Sequence, residues 1–549
     1  MFRRLPAFLA LLPRRLLLAS SSPRTLTGAP RRMEPAAVRC LPGEPKLTIS
    51  FRLDGANRCM LRDQDEPLGK ALARISHGLN KSHEKARKSK KKSKGQTPPP
   101  QQPPPPPAVK LHYAGEEVAD TVPNSAAWRD GAELRVGDVT FAVRRNAPTL
   151  VTAELPGSLL AGFPVCPHLR VEFGTLEDCE VTWYKENAPN ASPAAAAEPP
   201  CWTEVGRGRV HVPSNHDIGL RLKLRCTPRD GGGRVGEVKE LVSAGAVEAG
   251  PGACSFDNRH PYTVREAAWP VVRVATYNIL ADVYAQTELS KTVLYPYCAP
   301  YALQLDYRQS LIKKELAGYN ADILCLQEVD TGVFTDSLTP ALDAFGLEGV
   351  FRIKEKQHEG PATFYRSVLE DLNKPGRQVC VANTHLYWHP KGGNLRLIQM
   401  GVAMRHLSHV ISEVAPGAPL VFCGDFNSSP HSGVFQLLSE TEVPPQHADW
   451  SSSGPEEACS MELRSAFPPL LSACGQPAYT NYVGGFHGCL DYIFIQPGSM
   501  QVLALLPGRP VEQVIPLPSH QEVTTHEALP SVAHPSDHIA LICDLRWNP

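Results

Sequence analysis

"LVFCGDFNSSP", residues 420–430, places four apolar residues directly before a glycine, an acid, an aromatic, an amide and two serines. The apolar start reads as a buried strand, because continuous apolar runs suit strands covered on both faces. Asp425 and Asn427 follow at its end, two residues apart. An extended backbone alternates sides, so both are expected on one face. A strand with that ending belongs to a sheet whose rim does chemistry.

Comparable strands recur beyond residue 250: "VVRVATYNIL", "ADILCLQEV", "VCVANTHLYW", "CLDYIFIQ" and "HIALICDLRW". Helical segments lie between them, among them "YRQSLIKKELAGYN". In "LRLIQMGVAMRHLSHVISEV", Leu397, Met404, Leu407, Ile411 and Val414 fall on one helical face. Strands alternating with helices predict a layered α/β domain over 265–549. From Lys46 to Gly250 the texture differs. "KLTISFRL", "LRVGDVTFAVRR", "CEVTWYKE" and "GLRLKLRC" alternate with period two, which predicts a β-sandwich-like N-terminal domain over 37–250. A Lys-dense and polyproline run at 81–107 interrupts it and is expected as a solvated loop. A second Ala/Pro-rich loop is expected at 187–200.

At 549 residues the chain is too long for one core. Its formal net charge is zero, so bulk electrostatics selects no partner. No apolar run reaches the length of a membrane span. Fifteen scattered cysteines without a C-x-x-C pair fit a reducing compartment rather than a disulfide framework or a zinc site. The first 33 residues hold seven arginines, several serines and no acid, the composition of a mitochondrial transit peptide. The expected location is the mitochondrial matrix.

Polar residues recur at the strand ends: Asn278, Glu328, His385, Asp425 with Asn427, Asp491, and Asp537 with His538. A single acid at a strand end usually caps a turn. Six segments ending this way predict one pocket. Carboxylate and amide oxygens without thiolates favour a hard cation, Mg²⁺ first and Mn²⁺ as the alternative. Such an ion would polarise a phosphoryl oxygen, and the two histidines would move protons or bind phosphate.

The ordered series N-I-L, L-Q-E, N-T-H-L, G-D-F-N, L-D-Y and S-D-H resembles the endonuclease/exonuclease/phosphatase superfamily. "QEVD", "NTHLYWHP", "YTNY" and "CLDYIF" are similar to its nocturnin-type deadenylase branch. The resemblance implies a two-sheet α/β sandwich with the active site at one edge. It implies Mg²⁺ bound by Glu328 and Asn278, with Asp425, Asn427 and Asp537 on the metal side. Asp425 would activate water, His538 oriented by Asp491 would contact the scissile phosphate, and His385 would be a second phosphate contact. The expected activity is 3′-exoribonuclease and 2′,5′-phosphodiesterase action on oligoadenylate and poly(A), including mitochondrial RNA. Phe486 offers a ring for adenine stacking. The enzyme alternatives are inositol-phosphate and sphingolipid phosphodiesterases and abasic-site endonucleases, and outside enzymes a non-catalytic RNA-binding factor. No protein partner follows. One departure stands out: only "SVLEDLNKPGRQ" (367–378) links "EGPATFYR" to "VCVANTHL", where the family carries a longer stretch. An incomplete sheet is expected there.

Overall fold

The computed structural model describes residues 33–79, 108–187, 200–268, 270–366, 378–502 and 515–547. Apart from Met33 and Gln378, the targeting segment 1–33 and the short connection 367–378 lie outside the described residues. The Lys/Pro loop 81–107 lies outside them entirely, and the 187–200 loop does so but for Asn187 and Pro200.

Strands β1 (Val271–Asn278) and β2 (Ile323–Asp330) are apolar over nearly their whole length, which requires cover on both faces. They pair in parallel, and the helix α1 (Leu305–Tyr319) lies between them in sequence. With β3 (Leu347–Phe351), β4 (Glu359–Arg366), β9 (Met500–Val502) and β10 (Leu541–Trp547) they form a six-stranded sheet in the order β3-β4-β2-β1-β10-β9. A second, four-stranded sheet has the order β5-β6-β8-β7, from β5 (Cys380–His385), β6 (Leu420–Asp425), β7 (Leu471–Ser472) and β8 (Asp491–Ile495). The two sheets face each other as the expected α/β sandwich.

The alternation of β6 shows how the layers are filled. Val421 and Cys423 point into the core between the sheets, alongside Val274, Leu324, Ile493 and Ile542. Leu420 and Phe422 point the other way, beneath α2 (Gly393–Val414) and α3 (Gly433–Glu440). Leu397 and Met404 of α2 are buried there, with Leu407 and Ile411 partly so. Val414 departs from the expected face: it is the last residue of α2 and 73% exposed. Strand β5 is an edge, paired only with β6 among the described residues.

The strands of residues 37–250 divide into two units with separate cores. The first is a seven-stranded sheet packed on a helix at 68–79, with Trp128 and Phe141 fully buried. The second holds a four-stranded antiparallel sheet around Trp183, Leu222 and Leu224, beside a hairpin of Thr149–Glu154 and His168–Glu172. No helix among the described residues is long and apolar enough to cross a membrane.

Candidate active site

Three neighbouring strands of the second sheet end at one level. His385 on β5 pairs with Asp425 on β6, and Asp425 pairs with Asp491 on β8. Gly424 permits this. It sits at φ +150, and a Cβ there would lie 2.1 Å from the Thr384 carbonyl oxygen. Any side chain would force β5 and β6 apart at the rim.

The facing sheet contributes Asn278 from the end of β1 and Glu328 from β2. A register shift between Leu326 and Val329 bulges β2, and Glu328 takes the left-handed conformation with φ +57. That conformation costs a non-glycine residue on the order of 1 kcal/mol and accumulates at functional sites. Here it turns the carboxylate into the cleft. Asn278 donates from Nδ2 to Glu328 Oε1 (3.0 Å) and to Asp425 Oδ2 (3.1 Å), while Ala281 N donates to Glu328 Oε2 (3.0 Å).

The two histidines flank Asp425. Nε2 of His385 and Nε2 of His538 each lie 3.6 Å from Asp425 Oδ2. Their surroundings differ. His538 Nδ1 bonds Asp491 Oδ2 at 2.8 Å, and Asp491 also accepts from Thr480 Oγ1 at 2.6 Å. Burial disfavours the imidazolium, but Asp491 and Asp425 outweigh it and hold His538 well above the ordinary histidine range. His385 instead receives Lys354 Nζ on Nδ1 at 2.9 Å. Burial first, then the Lys354 and His538 charges, push it down to about 4 despite Asp425. Since an ammonium can only donate, Nδ1 of His385 is the acceptor and the proton sits on Nε2. The cleft thus holds one charged and one neutral imidazole.

Burial, then the Asp537 charge, raises Glu328 to about 7, and burial also raises Asp425. Two buried carboxylates bridged by an amide, with no thiolate beside them, form a donor set for a hard cation. Asp425, Asp491 and His538 also bring ligand atoms within 4.8 Å of one another. Asp491 and His538 form a hydrogen-bonded carboxylate–imidazole pair beside Asp425, and Glu328 and Asp425 are the carboxylates that could hold a cation. Asp491 Oδ1 is buried without a hydrogen-bond partner, an acceptor free for a proton or an ion at this rim.

Each expected residue finds a place, two of them for a different reason. Asn278 turns its NH₂ to the carboxylates while its Oδ1 accepts from Leu280 N (3.0 Å), so in this arrangement its amide orients Glu328 and Asp425. Asn427 does not reach the site by strand alternation. Strand β6 ends at Asp425, and Asn427 sits in a left-handed turn with φ +47. Its NH₂ donates to the Leu386 carbonyl (3.1 Å), and its backbone N–H donates to Asp425 Oδ1 (2.9 Å). Asp537 accepts from Tyr295 (3.0 Å) and Asn481 (3.3 Å), and its charge acts on Glu328. Phe486 is half exposed on a hairpin of Asn481–Val483 and Phe486–Gly488, anchored by Thr480 and by an Asn481–His538 bridge.

Lys354, Glu359 and Thr480 went unassigned from sequence. Thr480 lies inside "YTNY", whose motif match was visible though its hydroxyl's partner was not. Lys354, in "FRIKEKQHEG", carries no signal; only the fold brings it to His385.

An endonuclease/exonuclease/phosphatase family model matches residues 275–538, and a 2′,5′-phosphodiesterase 12-like N-terminal domain matches 147–248. The chain is 50% identical to human (Homo sapiens) 2′,5′-phosphodiesterase 12, covering 97% of each. The chain belongs to the 2′,5′-phosphodiesterase 12 group of the endonuclease/exonuclease/phosphatase family. It is therefore a hydrolase. That alignment spans 606 positions against the chain's 549 residues, so the relative carries residues this chain lacks. The Candida albicans CCR4-Not complex 3′-5′-exoribonuclease subunit Ccr4 is 27% identical over 52% of this chain and 42% of its own length. The human Nocturnin catalytic domain, solved with bound sulfate, aligns with TM-score 0.32 and 23% identity, covering 51% of this chain and 95% of its own.

Proposed function

We propose that the chain is a Mg²⁺-dependent phosphodiesterase that shortens 2′,5′-linked oligoadenylate and the 3′ poly(A) ends of mitochondrial RNA. One observation carries the reading: Asp425 stands between a charged and a neutral imidazole, 3.6 Å from each, with Glu328 bridged to it through Asn278. The relatives' names, a 2′,5′-phosphodiesterase and a 3′-5′-exoribonuclease, favour a nucleic-acid substrate over inositol phosphates and sphingolipids, and the adenylate preference rests on the motif resemblance and on Phe486.

Glu328 and Asp425 would hold the cation, with Asn427 and Asp537 beside them. When bound, Mg²⁺ supplies charge stabilisation at the phosphoryl oxygens. The chain's own groups do the rest. Asp425, made more basic by burial, accepts a proton from the attacking water. His538, held charged by Asp491, donates from Nε2 to a phosphate oxygen. His385 donates its Nε2 proton without adding charge, because Lys354 occupies Nδ1. Preorganised donors of this kind stabilise charge that develops in the transition state.

The substrate assignment is tested by incubating the purified chain with Mg²⁺ and 2′,5′-oligo(A), 3′,5′-oligo(A) or oligo(U). Release of AMP from the two adenylates, faster than UMP from oligo(U), is expected. Equal rates on all three would contradict it. Mitochondrial import rests on the acid-free, arginine-rich first 33 residues. A reporter fused to them should enter mitochondria, and a diffuse cytosolic signal would reject the targeting claim.

A further inference from the structure

Gln327, the neighbour of Glu328 on β2, and Asn383, two residues before His385 on β5, lie on different sheets and meet between them. Strand alternation puts Asn383 on the same face of β5 as His385. Its Nδ2 donates to the Leu326 carbonyl on β2 (3.0 Å) and to the Ala362 carbonyl on β4 (2.9 Å). Those two residues form the last register pair before the bulge. Carbonyl oxygens only accept, so the NH₂ of Asn383 must face them and its Oδ1 must face away. Gln327 meets that oxygen. Its Nε2 donates to Asn383 Oδ1 (2.8 Å) and to Thr276 Oγ1 on β1 (3.0 Å). The orientation of both amides is thereby fixed.

Gln327 also opens the bulge. Leu326 pairs with Ala362 and Val329 with Gly360, which leaves Gln327 and Glu328 opposite the single Pro361. Burial of Val329 holds the strand beyond the bulge, and the two amides hold it before. Between them Glu328 keeps its left-handed turn, a conformation that persists only where the surroundings enforce it. Gln327 is fully buried, yet among the described residues its Oε1 has no hydrogen-bond partner. A buried orphan acceptor is costly. An amide is retained at this position because its NH₂ is needed.

We propose that Asn383 and Gln327 are positioning residues of the cation site, an amide clamp between the sheets that fixes the bulge and so aims the Glu328 carboxylate. Neither residue touches substrate. The clamp joins the two halves of the cleft, because Asn383 shares a strand with His385 and Gln327 shares one with Glu328. Its effect on metal binding rests on the reading of Glu328 as a cation ligand; its effect on the position of Glu328 does not.

The test is calorimetric titration of the full chain with Mn²⁺ at pH 8. Turnover of oligo(A) is measured alongside, with hydrogen exchange of the Ala281 amide, whose N–H donates to Glu328 Oε2 (3.0 Å). Asn383→Leu and Gln327→Met nearly keep the side-chain shape and remove the donors. Each should weaken Mn²⁺ binding about tenfold or more, the usual scale for a residue that holds a ligand in place. Each should also speed exchange at Ala281. The double variant should bind no more weakly than the weaker of the two single variants, because both amides serve one clamp. Leu324→Ala is the control: it opens a cavity in the same strand, where Leu324 is fully buried. It should lower the melting temperature at least as far, with Mn²⁺ affinity and Ala281 exchange as in the wild type. Unchanged Mn²⁺ binding in both amide variants overturns the proposal. So do losses that multiply in the double variant, or that Leu324→Ala reproduces. A wild type that binds no Mn²⁺ overturns the cation reading instead. Faster Ala281 exchange in the amide variants alone then supports the clamp, and unchanged exchange removes it.

Discussion

His385 and His538 point their Nε2 atoms at the same oxygen of Asp425, each from 3.6 Å, yet their surroundings set them in opposite charge states. The difference lies in what holds the other nitrogen. An acid holds His538 and an ammonium holds His385. A phosphate between them meets one cationic and one neutral donor.

Replacing Asp491 by Asn removes the charge that keeps His538 protonated. Activity should fall on the order of 100-fold or more, the scale of a lost positioned acid or base. The sign of the pH effect is fixed. His538 acts in its protonated form, so activity is lost as pH rises through its pKa. In Asp491→Asn that loss should begin at lower pH. A kcat profile declining at the same pH in both proteins would remove Asp491 from this role.

Lys354→Met should release the Nδ1 acceptor of His385 and lower kcat. It also leaves Glu359, 1% exposed and paired to Lys354 at 2.7 Å, without its counter-charge. Breaking a buried pair from one side costs about 3–5 kcal/mol, less here because Lys354 is partly exposed. The double variant Lys354→Met/Glu359→Gln should regain most of the lost melting temperature and none of the lost kcat. Recovery of both would reduce Lys354 to a structural residue.

Glu328, raised to about 7 by burial and by Asp537, must lose its proton to bind a cation. Metal affinity measured by titration should therefore rise from pH 6 to pH 8, and this rise should vanish in Glu328→Gln. The stability effect has the opposite sense. The folded pKa lies above the ordinary 4.5, so the contribution to stability of the metal-free protein is full below that value and is lost as pH rises through about 7. At pH 8 the metal-free Glu328→Gln protein should melt above the wild type.

Phe486→Ala should weaken binding of oligo(A) by about 1–3 kcal/mol for one stacked base. The effect belongs in KM more than in kcat, because the hairpin is held to the site by Thr480 and Asn481 independently of the ring. An unchanged KM would make Phe486 an ordinary exposed aromatic.

Much of the site was legible because strands end where the apolar pattern stops, and strand ends share a rim. Asn278, Glu328, His385, Asp425, Asp491 and His538 were all found that way. What stayed hidden depends on backbone departures and on distant approach. The bulge that turns Glu328 leaves no mark on an apolar pattern, and the left-handed turn at Asn427 defeated the alternation argument. Lys354 reaches His385 across 31 residues, from the connection between β3 and β4. The division of the N-terminal strands into two cores was hidden too. Alternation tells which face of a strand is buried but not which sheet the strand joins; the parallel pairing of Glu34–Arg39 with Val139–Arg145 closes the first unit.

The central claim is that Glu328 and Asp425 hold a cation that the hydrolysis of oligoadenylate requires. The most direct measurement is the rate of AMP release from 2′,5′-oligo(A) by the full chain in Mg²⁺ and in excess EDTA, with Glu328→Gln alongside. Release in Mg²⁺ should stop in EDTA, return when Mg²⁺ is restored, and be lost in Glu328→Gln while its melting curve stays cooperative. Undiminished release in EDTA, or wild-type rates from Glu328→Gln, would contradict the account.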